Sequence, residues 1–420
     1  MSSTRPVDRR AELPGLLDAV EAAAPVDAVG VLARTLADMV GAADVTFLIA
    51  DFSGDALIRF LSPAGGSIGA DTDAVTTVPL SGSPHERALR SQHVQVVDGT
   101  DGVRVYAPVT DRGDALGVLE LLMARTPTIG ETKFIASAAH ALAYVVIATR
   151  RHTDLFERGQ RNLAFSLAGE IQRRLLPAAF TCEGAEFTLA GWLEPAHKIG
   201  GDTFDYSLER DALHLSISDA MGHMVRAAQL ATLAVGSLRN TRRAGVGVIR
   251  QAADANDAIL DYADGDEYVT ALLIRIQLGT GAAHIVNAGH AAPFLVRDGT
   301  ARALTFLPDL PFGMFRAVPY RVQDLRLLPG DRLVLVTDGM LERNAVNLDV
   351  IDALHGMQDL HPREVVHAFA RAVLGATGGE LLDDATVLCV DWYGRSEAGP
   401  DRTATAGATR DLASPPTPEH

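Results

Sequence analysis

Four acidic sites in the second half of the chain share one local context: a carboxylate at the end of an apolar run or at a glycine-rich turn. They are Asp202 in IGGDTFDY, Asp219 in SISDAMGH, Asp338 in LVLVTDGM, and Asp383 with Asp384 in LLDDATVLCV. Strand ends and turns are where a rigid sheet presents side chains to a common cleft. Carboxylate oxygens with little Cys or His nearby are the ligands that Mg²⁺ or Mn²⁺ prefers. Several carboxylates in one place repel one another, and two divalent cations with shared ligands would neutralise them. Such a pair holds a bridging water, lowers its pKa and aims it at phosphorus. Taken singly, each site has a plainer reading. T-D-G is a common turn, Asp383-Asp384 reads as a charged loop entering a strand, Asp219 as a helix N-cap, and Asp202 as the cap of a bend. The ordered combination carries the chemistry.

Those carboxylates need a sheet to hold them. From Phe187 onward the chain is strand-rich, with ALHLSIS (Ala212–Ser218) alternating cleanly. Further strands are expected at Val269–Ile276, Ala282–Asn287, Phe294–Val296, Leu325–Leu328, Arg332–Thr337 and Ala385–Val390. Helices are expected near Val225–Arg239, Val248–Leu260 and Pro362–Leu374. About seven strands with two consecutive helices inserted point to an α+β layered fold, not a doubly wound one.

The first half reads as a separate unit over residues 12–150. Helical periods at Leu13–Ala24 and Ala28–Val40 precede strands at Val45–Asp51, Ala56–Leu61, Val75–Leu80, Val94–Val97, Arg104–Val109 and Leu116–Met123. FSGD (residues 52–55) and TDRGDA are turn signals. A long helical pattern then runs from Glu131 to Leu176, and residues 151–177 read as a linker helix stopped by Pro177. Phe156, Leu163, Leu167, Ile171 and Leu175 fall at helical steps along it, which fits either a coiled-coil dimer seam or a helix lying on a domain. Residues 1–11 and 394–420 are too polar to pack and are expected to be disordered.

Composition narrows the function. The 420 residues predict two or three domains. With 37 Lys+Arg against 53 Asp+Glu, the net charge of −16 argues against non-specific binding to nucleic acid or anionic membrane. Two cysteines, Cys182 and Cys389, with no CxxC spacing, argue against a zinc knot or a disulfide framework. No run of 18 uninterrupted apolar residues and no signal-type start is present, so a cytoplasmic location is expected.

Eight segments stand in a familiar order: IQRRLLP (171–177), EPAHKIGGDTFDY (194–206), SDAMGHMVRAAQLA (218–231), YVTALL (268–273), NAGHAAPFLV (287–296), LPFGM (310–314), LLPGDRLVLVTDGMLE (327–342) and DDATVLCV (383–390). Together they resemble the SpoIIE-like branch of the metal-dependent PPM serine/threonine phosphatases, over roughly Gln172–Tyr393. Residues 12–150 are similar, less specifically, to a GAF sensor domain, through the helix–sheet–helix layout and the GVLELLM strand.

The resemblance implies a β-sandwich flanked by helices over residues 178–393, with two Mn²⁺ or Mg²⁺ ions at one end. By motif position, Asp202 and Asp219 approach the metals, with the Ala220 carbonyl beside Asp219. Asp338 and Asp383 complete the set, and Asp384 supports it. The implied substrate is a phosphorylated anti-anti-sigma protein of STAS type. The long helix joining the two halves leads separately to the expectation of a homodimer whose low basal activity is raised by a signal reaching the first domain or that helix. The chain departs from the family pattern at Met224, where glycine is usual, at Thr203, where an aromatic is common, and at Leu193, where Arg is frequent. Met224 supports a competing reading, a catalytically weak pseudophosphatase that binds a signalling partner. GGDTF superficially resembles the GGDEF signature of diguanylate cyclases, but Thr203 replaces the acid needed there. His290 in AGH reads as structural. In the first domain no cysteine is present to attach a bilin, and His85, His93 and His140 are too scattered for a haem or metal pocket.

Overall fold

The computed structural model describes residues 12–395 apart from positions 53, 61–75, 162–165, 196–199, 223, 264–265, 342–348, 379–380 and 382. The expected disorder of residues 1–11 and of 396–420 falls outside the described residues. The chain divides into two compact units, one ending at Ala164 and the other spanning Phe165–Thr403.

The first unit contains α1 (Glu12–Glu21), α2 (Ala28–Val40), β1 (Ala42–Ala50), β2 (Ala56–Arg59), β3 (Thr77–Pro79), α3 (Pro84–Ser91), β4 (Gln95–Gly99), β5 (Gly102–Asp111), β6 (Asp114–Met123), α4 (Ile129–Thr149) and α5 (Leu155–Gly159). Its six strands form one antiparallel sheet in the order β3-β2-β1-β6-β5-β4. The β5–β6 hairpin closes through Arg112 and Gly113, both at positive φ, which matches the twist of the flanking strands. Helices α1, α2 and α4 bury Leu16, Leu32, Leu36, Ile135 and Leu142 with Phe47, Val105 and Leu119 of the sheet. On the other face α3 covers a smaller cluster, Leu48, Leu57, Ala88, Leu89, Tyr106 and Val118. Helix α4 is long and apolar enough in composition to cross a bilayer, yet its Phe134, Ile135, Ala138, Leu142 and Val146 are spent on this core.

The continuous helix expected over Glu131–Leu176 is not formed. Helix α4 stops at Thr149, α5 is a short turn of helix, and α6 (Leu167–Leu175) starts afresh in the second unit. Hydroxyl groups supply the restarts that the apolar spacing concealed. Thr153 Oγ1 accepts from the Leu155 N–H, and Ser166 Oγ accepts from the Gly169 N–H at 3.1 Å. Phe156 is not on a seam. It is buried in the first core, stacked on Phe60 with centroids 4.8 Å apart, while Leu167 is exposed. The 151–177 linker helix and the dimer stripe drawn along it are therefore corrected.

The second unit continues with β7 (Thr181–Glu183), β8 (Phe187–Glu194), β9 (Thr203–Leu208), β10 (Ala212–Ala220), α7 (Met224–Arg243), α8 (Val248–Tyr262), β11 (Val269–Gln277), β12 (Ala282–Ala288), β13 (Phe294–Arg297), β14 (Thr300–Ala303), β15 (Gln323–Arg326), β16 (Asp331–Val336), α9 (Val350–His355), α10 (Pro362–Ala376) and β17 (Ala385–Trp392). Two antiparallel sheets result, β15-β12-β11-β10-β9 and β14-β13-β16-β17-β8-β7. They share one core: Leu213, Leu215 and Ile217 of β10 and Leu272, Ile274 and Ile276 of β11 meet Leu333 and Leu335 of β16 and Leu388 and Val390 of β17. Helices α7 and α8 cover the outer face of the first sheet through Leu230, Leu238, Ala252 and Ile259. Helices α9 and α10 cover the second through Leu354, Val365, Val366 and Phe369. The α+β expectation holds as four layers, helices outside and two sheets inside.

Under α10 lies a buried ionisable pair. His361 caps the helix, its Nδ1 accepting from the Arg363 N–H, so the neutral ring carries its proton on Nε2 and donates to Glu183 Oε1 at 3.2 Å. Burial pushes the Glu183 carboxyl up to about 7, against the pull of Arg363. Burial, with Arg363 and Arg332, pushes His361 down to about 2. A raised carboxyl pKa contributes stability below the unfolded value and loses it as pH rises through about 7. Glu183→Gln is therefore expected to match the parent near pH 4 and to exceed it at pH 8, by about 3 kcal/mol at most. Urea unfolding of both proteins across this range checks the expectation, and parallel curves would refute it.

Candidate active site

The period-2 alternation that builds the sandwich core also builds its end. One step beyond the inward apolar row of β10 is Asp219, and one step before that of β11 is Thr270, its cross-strand partner. The same step leads to Thr337 after β16 and to Thr386 at the start of β17. The apolar rows thus finish at one end in carboxylates and hydroxyls.

Asp202, immediately before β9, is 2% exposed. Its Oδ2 accepts from Thr337 Oγ1 at 2.6 Å and from Thr386 Oγ1 at 2.7 Å. Both bonds fall on Oδ2. The Ala220 N–H donates to the Gly201 carbonyl at 3.2 Å. Only glycine fits at position 201, because a Cβ there would press into the Ala220 carbonyl oxygen. Asp338 opens a single 3₁₀ turn, Asp338–Leu341, and is exposed. A Cβ at Gly339 would strike the Asp384 carbonyl, so T-D-G brings two acidic turns together more closely than an ordinary turn would. Asp383 Oδ1 accepts from the Asp384 N–H at 2.9 Å.

Asp219 lies in the field of Asp338, Asp383 and Asp384, and Asp202 in the field of Asp219 and Asp384. Burial, then Asp338, Asp383 and Asp384, push Asp219 up to about 7. Asp202 is raised well above the usual carboxylate range by burial and by Asp219 and Asp384, while the two threonine hydroxyls act in the other direction. Among the described residues no three acidic, His or Cys side chains converge to coordination distance. The donor set nevertheless fits hard divalent cations in kind. It is all oxygen, it is rigidly carried, and its mutual repulsion is what positive charge would relieve.

Sequence reading missed the groups that hold this cluster. Gln172 of α6, 2% exposed, donates from Nε2 to the Asp202 carbonyl at 2.9 Å and to Asp384 Oδ2 at 2.6 Å. Thr337 and Thr386 had a legible signal, a polar residue one step past an apolar alternation; Gln172 had none. The departures from the family pattern also acquire places. The Thr203 hydroxyl pairs with Ser218 Oγ at 2.7 Å across β9 and β10, and Leu193 is packed in the sandwich core. Met224 is exposed with φ at 53°, in the left-handed region that favours glycine. His223 lies outside the described residues.

Residues 209–393 match the family model for stage II sporulation protein E. Phosphoserine phosphatase RsbP of Bacillus subtilis is 23% identical over 43% of this chain and 45% of its own length. Stage II sporulation protein E of the same organism is 25% identical over 42% of this chain and 22% of its own length. The match thus spans less than half of each of these relatives. The RsbU and RsbW domains of a Mycobacterium tuberculosis protein have a solved structure with 23% identity and a TM-score of 0.46, covering 52% of this chain and 63% of that one.

Asp219 yields a pH test without metal. Its raised pKa means that it favours the fold below the unfolded value of 3.8 and that this contribution is lost as pH rises through about 7. Asp219→Asn removes the loss. In EDTA the variant is expected to unfold at higher temperature than the parent at pH 8, by up to about 4 kcal/mol, and to converge with it near pH 4. A variant less stable at pH 8 would show that Asp219 is not under like-charge strain.

Proposed function

We propose, from the premise that residues 209–393 are a SpoIIE-type PPM phosphatase domain, that the chain is a metal-dependent protein serine/threonine phosphatase. The observation that carries this reading is the convergence of the acidic turns, in which Gln172 bonds both the Asp202 carbonyl and Asp384 while Gly201 and Gly339 lie against the Ala220 and Asp384 carbonyls. Asp202, Asp219, Asp338 and Asp383 would hold two Mn²⁺ or Mg²⁺ ions, with the Ala220 carbonyl beside Asp219 and Asp384 in support. When bound, the pair supplies an activated water and neutralises phosphoryl charge for in-line attack at phosphorus. The chain's own residues keep the ligand oxygens fixed. Thr337 and Thr386 hold one oxygen of Asp202, and Gln172 ties Asp384 to the backbone at Asp202. A fixed ligand set loses little freedom when substrate arrives.

The substrate in this reading is phosphoserine or phosphothreonine on a small anti-anti-sigma protein of STAS type. The resemblance of the eight motifs supports it, as does the phosphoserine phosphatase among the relatives. The first unit is a GAF-like sensor, and the setting is cytoplasmic, with neither nucleic acid nor membrane as partner. Regulation reaches the cluster through α6, which follows the first unit in sequence and contributes Gln172. The expected homodimer loses its ground in a shared helical seam, because Phe156 is buried within the first unit.

One observation favours the second reading, a weak or inactive pseudophosphatase. Met224 keeps a left-handed backbone next to the acidic turn, at a cost of about 1 kcal/mol for a residue with a Cβ. A single assay separates the readings. The full chain is expected to release phosphate from a phosphoserine protein and from an aryl phosphate in Mn²⁺ and not in EDTA. Asp338→Asn should reduce turnover by at least about a hundredfold while the unfolding temperature holds. No Mn²⁺-dependent release from either substrate would favour the pseudophosphatase.

Control by the first unit has its own measurement. Specific activity of the full chain is compared at matched Mn²⁺ with that of a chain starting at Phe165, the first residue of the second unit. The shorter chain is expected to differ from the full chain by severalfold. Equal activities would remove the regulatory role.

A further inference from the structure

Among the groups outside the carboxylate set, His290 is a buried titratable residue that the chemistry above leaves unused. It is 7% exposed and sits in the connection between β12 and β13. Asn287 pins its backbone on both sides. The His290 N–H donates to Asn287 Oδ1 at 2.7 Å, and Asn287 Nδ2 donates to the His290 carbonyl at 3.2 Å. Gly289 before it has φ of 70°, and a Cβ there would meet the Pro311 ring. So much restraint on one short turn fixes where the imidazole lies. Its Nδ1 is 2.9 Å from Thr270 Oγ1. Burial pushes the ring down to about 4, with the Val336 backbone opposing, so it is neutral at physiological pH. The ring's second hydrogen-bonding neighbour is the Val336 backbone.

Thr270 connects this ring to the cluster. It is the residue directly opposite Asp219 across β10 and β11, and directly opposed side chains stand on one face about 5 Å apart at Cβ. Val336, the other group acting on the ring, immediately precedes Thr337, whose hydroxyl bonds Asp202. His290 therefore meets the start of β11 in one sheet, opposite Asp219, and the end of β16 in the other, just before Thr337 and Asp338. A neutral imidazole offers one donor and one acceptor, enough to fix the direction of one hydroxyl rotor.

Resting on the phosphatase reading, we propose that His290 is a positioning residue for the metal ligand Asp219, acting through the Thr270 hydroxyl. His290 touches neither substrate nor metal. It sets the hydroxyl beside Asp219, and that hydroxyl limits which way the carboxylate turns. Partners of this kind, one step behind a ligand, typically change metal affinity by about tenfold or more when removed.

The test is a double-mutant cycle read by Mn²⁺ binding to the full chain, by calorimetry and by the spin-resonance signal of free Mn²⁺. Thr270→Val keeps the shape and removes the hydroxyl. It is expected to weaken Mn²⁺ binding by about tenfold. Thr270→Ser, which restores the hydroxyl, should bind within about twofold of the parent. His290→Asn should weaken binding comparably to Thr270→Val, and the double variant should bind no more weakly than the worse single variant, because both changes break one chain of contacts. Thermal unfolding in EDTA accompanies each measurement, and the Thr270→Val and Thr270→Ser comparison stands even where His290→Asn fails to fold. Unchanged Mn²⁺ affinity in Thr270→Val, or effects of Thr270→Val and His290→Asn that simply add, would overturn the inference. A parent chain that binds no Mn²⁺ would instead overturn the phosphatase reading beneath it.

Discussion

The constraint on which the second unit depends is like-charge repulsion at the end of an apolar sandwich. Five carboxylates, Asp202, Asp219, Asp338, Asp383 and Asp384, are carried into one field by strands whose inward faces are otherwise leucine, isoleucine and valine. Burial and mutual repulsion disfavour the ionised forms of Asp202 and Asp219. A fold keeps such an arrangement only where the surrounding structure over-determines it. Here the sandwich core supplies that excess, since its rows of apolar side chains interlock over both sheets and leave the strand ends no freedom to separate.

Close backbone approach is the second element of the arrangement. Gly201 lies against Ala220 and Gly339 against Asp384, in each case where a Cβ would press into a carbonyl oxygen. These contacts bring the turn before β9 onto the end of β10, and the turn after β16 onto the start of β17. The polar side chains then divide the work. Thr337 and Thr386 satisfy one oxygen of Asp202, and Gln172 spans from the Asp202 backbone to Asp384. Buried polar groups left without partners would cost the fold dearly, and these bonds stabilise the cluster.

Helix α6 has an uncommon position in this scheme. Through Gln172 it reaches the carboxylates, and through the Leu175 carbonyl it accepts from Arg239 of α7, whose guanidinium also clamps Asp205 of β9 at 2.8 Å. Helix α7 itself begins at Met224, a few residues after Asp219. One short helix thus contacts both the carboxylate cluster and the helix that follows the strand of Asp219. Coupling of that kind requires packed, directional contacts and not a continuous helix from the first unit. The break between α4 and α6 is compatible with it.

By itself the sequence determined the elements and the chemistry of the donors. Helix α2 runs over Ala28–Val40 as its apolar period requires, and β10, β11, β12, β16 and β17 fall within a residue or two of where alternation places them. The identity and order of the five aspartates were legible from local signals: an acid at the end of an apolar strand at Asp219 and Asp338, a glycine pair before Asp202, and adjacent acids at Asp383 and Asp384. Tertiary structure decided what holds those acids. Thr337 meets Asp202 across 135 positions of sequence and Gln172 meets Asp384 across 212, and no local period encodes a contact at such range. It also decided that, among the described residues, Glu131–Leu176 is divided between α4, α5 and α6. Apolar spacing reports which residues would share a helical face, but the Thr153 hydroxyl bond ahead of α5, the Ser166 cap of α6 and the burial of Phe156 within the first unit mark where new helices begin. His290 shows the same division. Its glycine-flanked turn was visible in the sequence, whereas its place beside Thr270 follows from strand register, which only the folded sheet fixes.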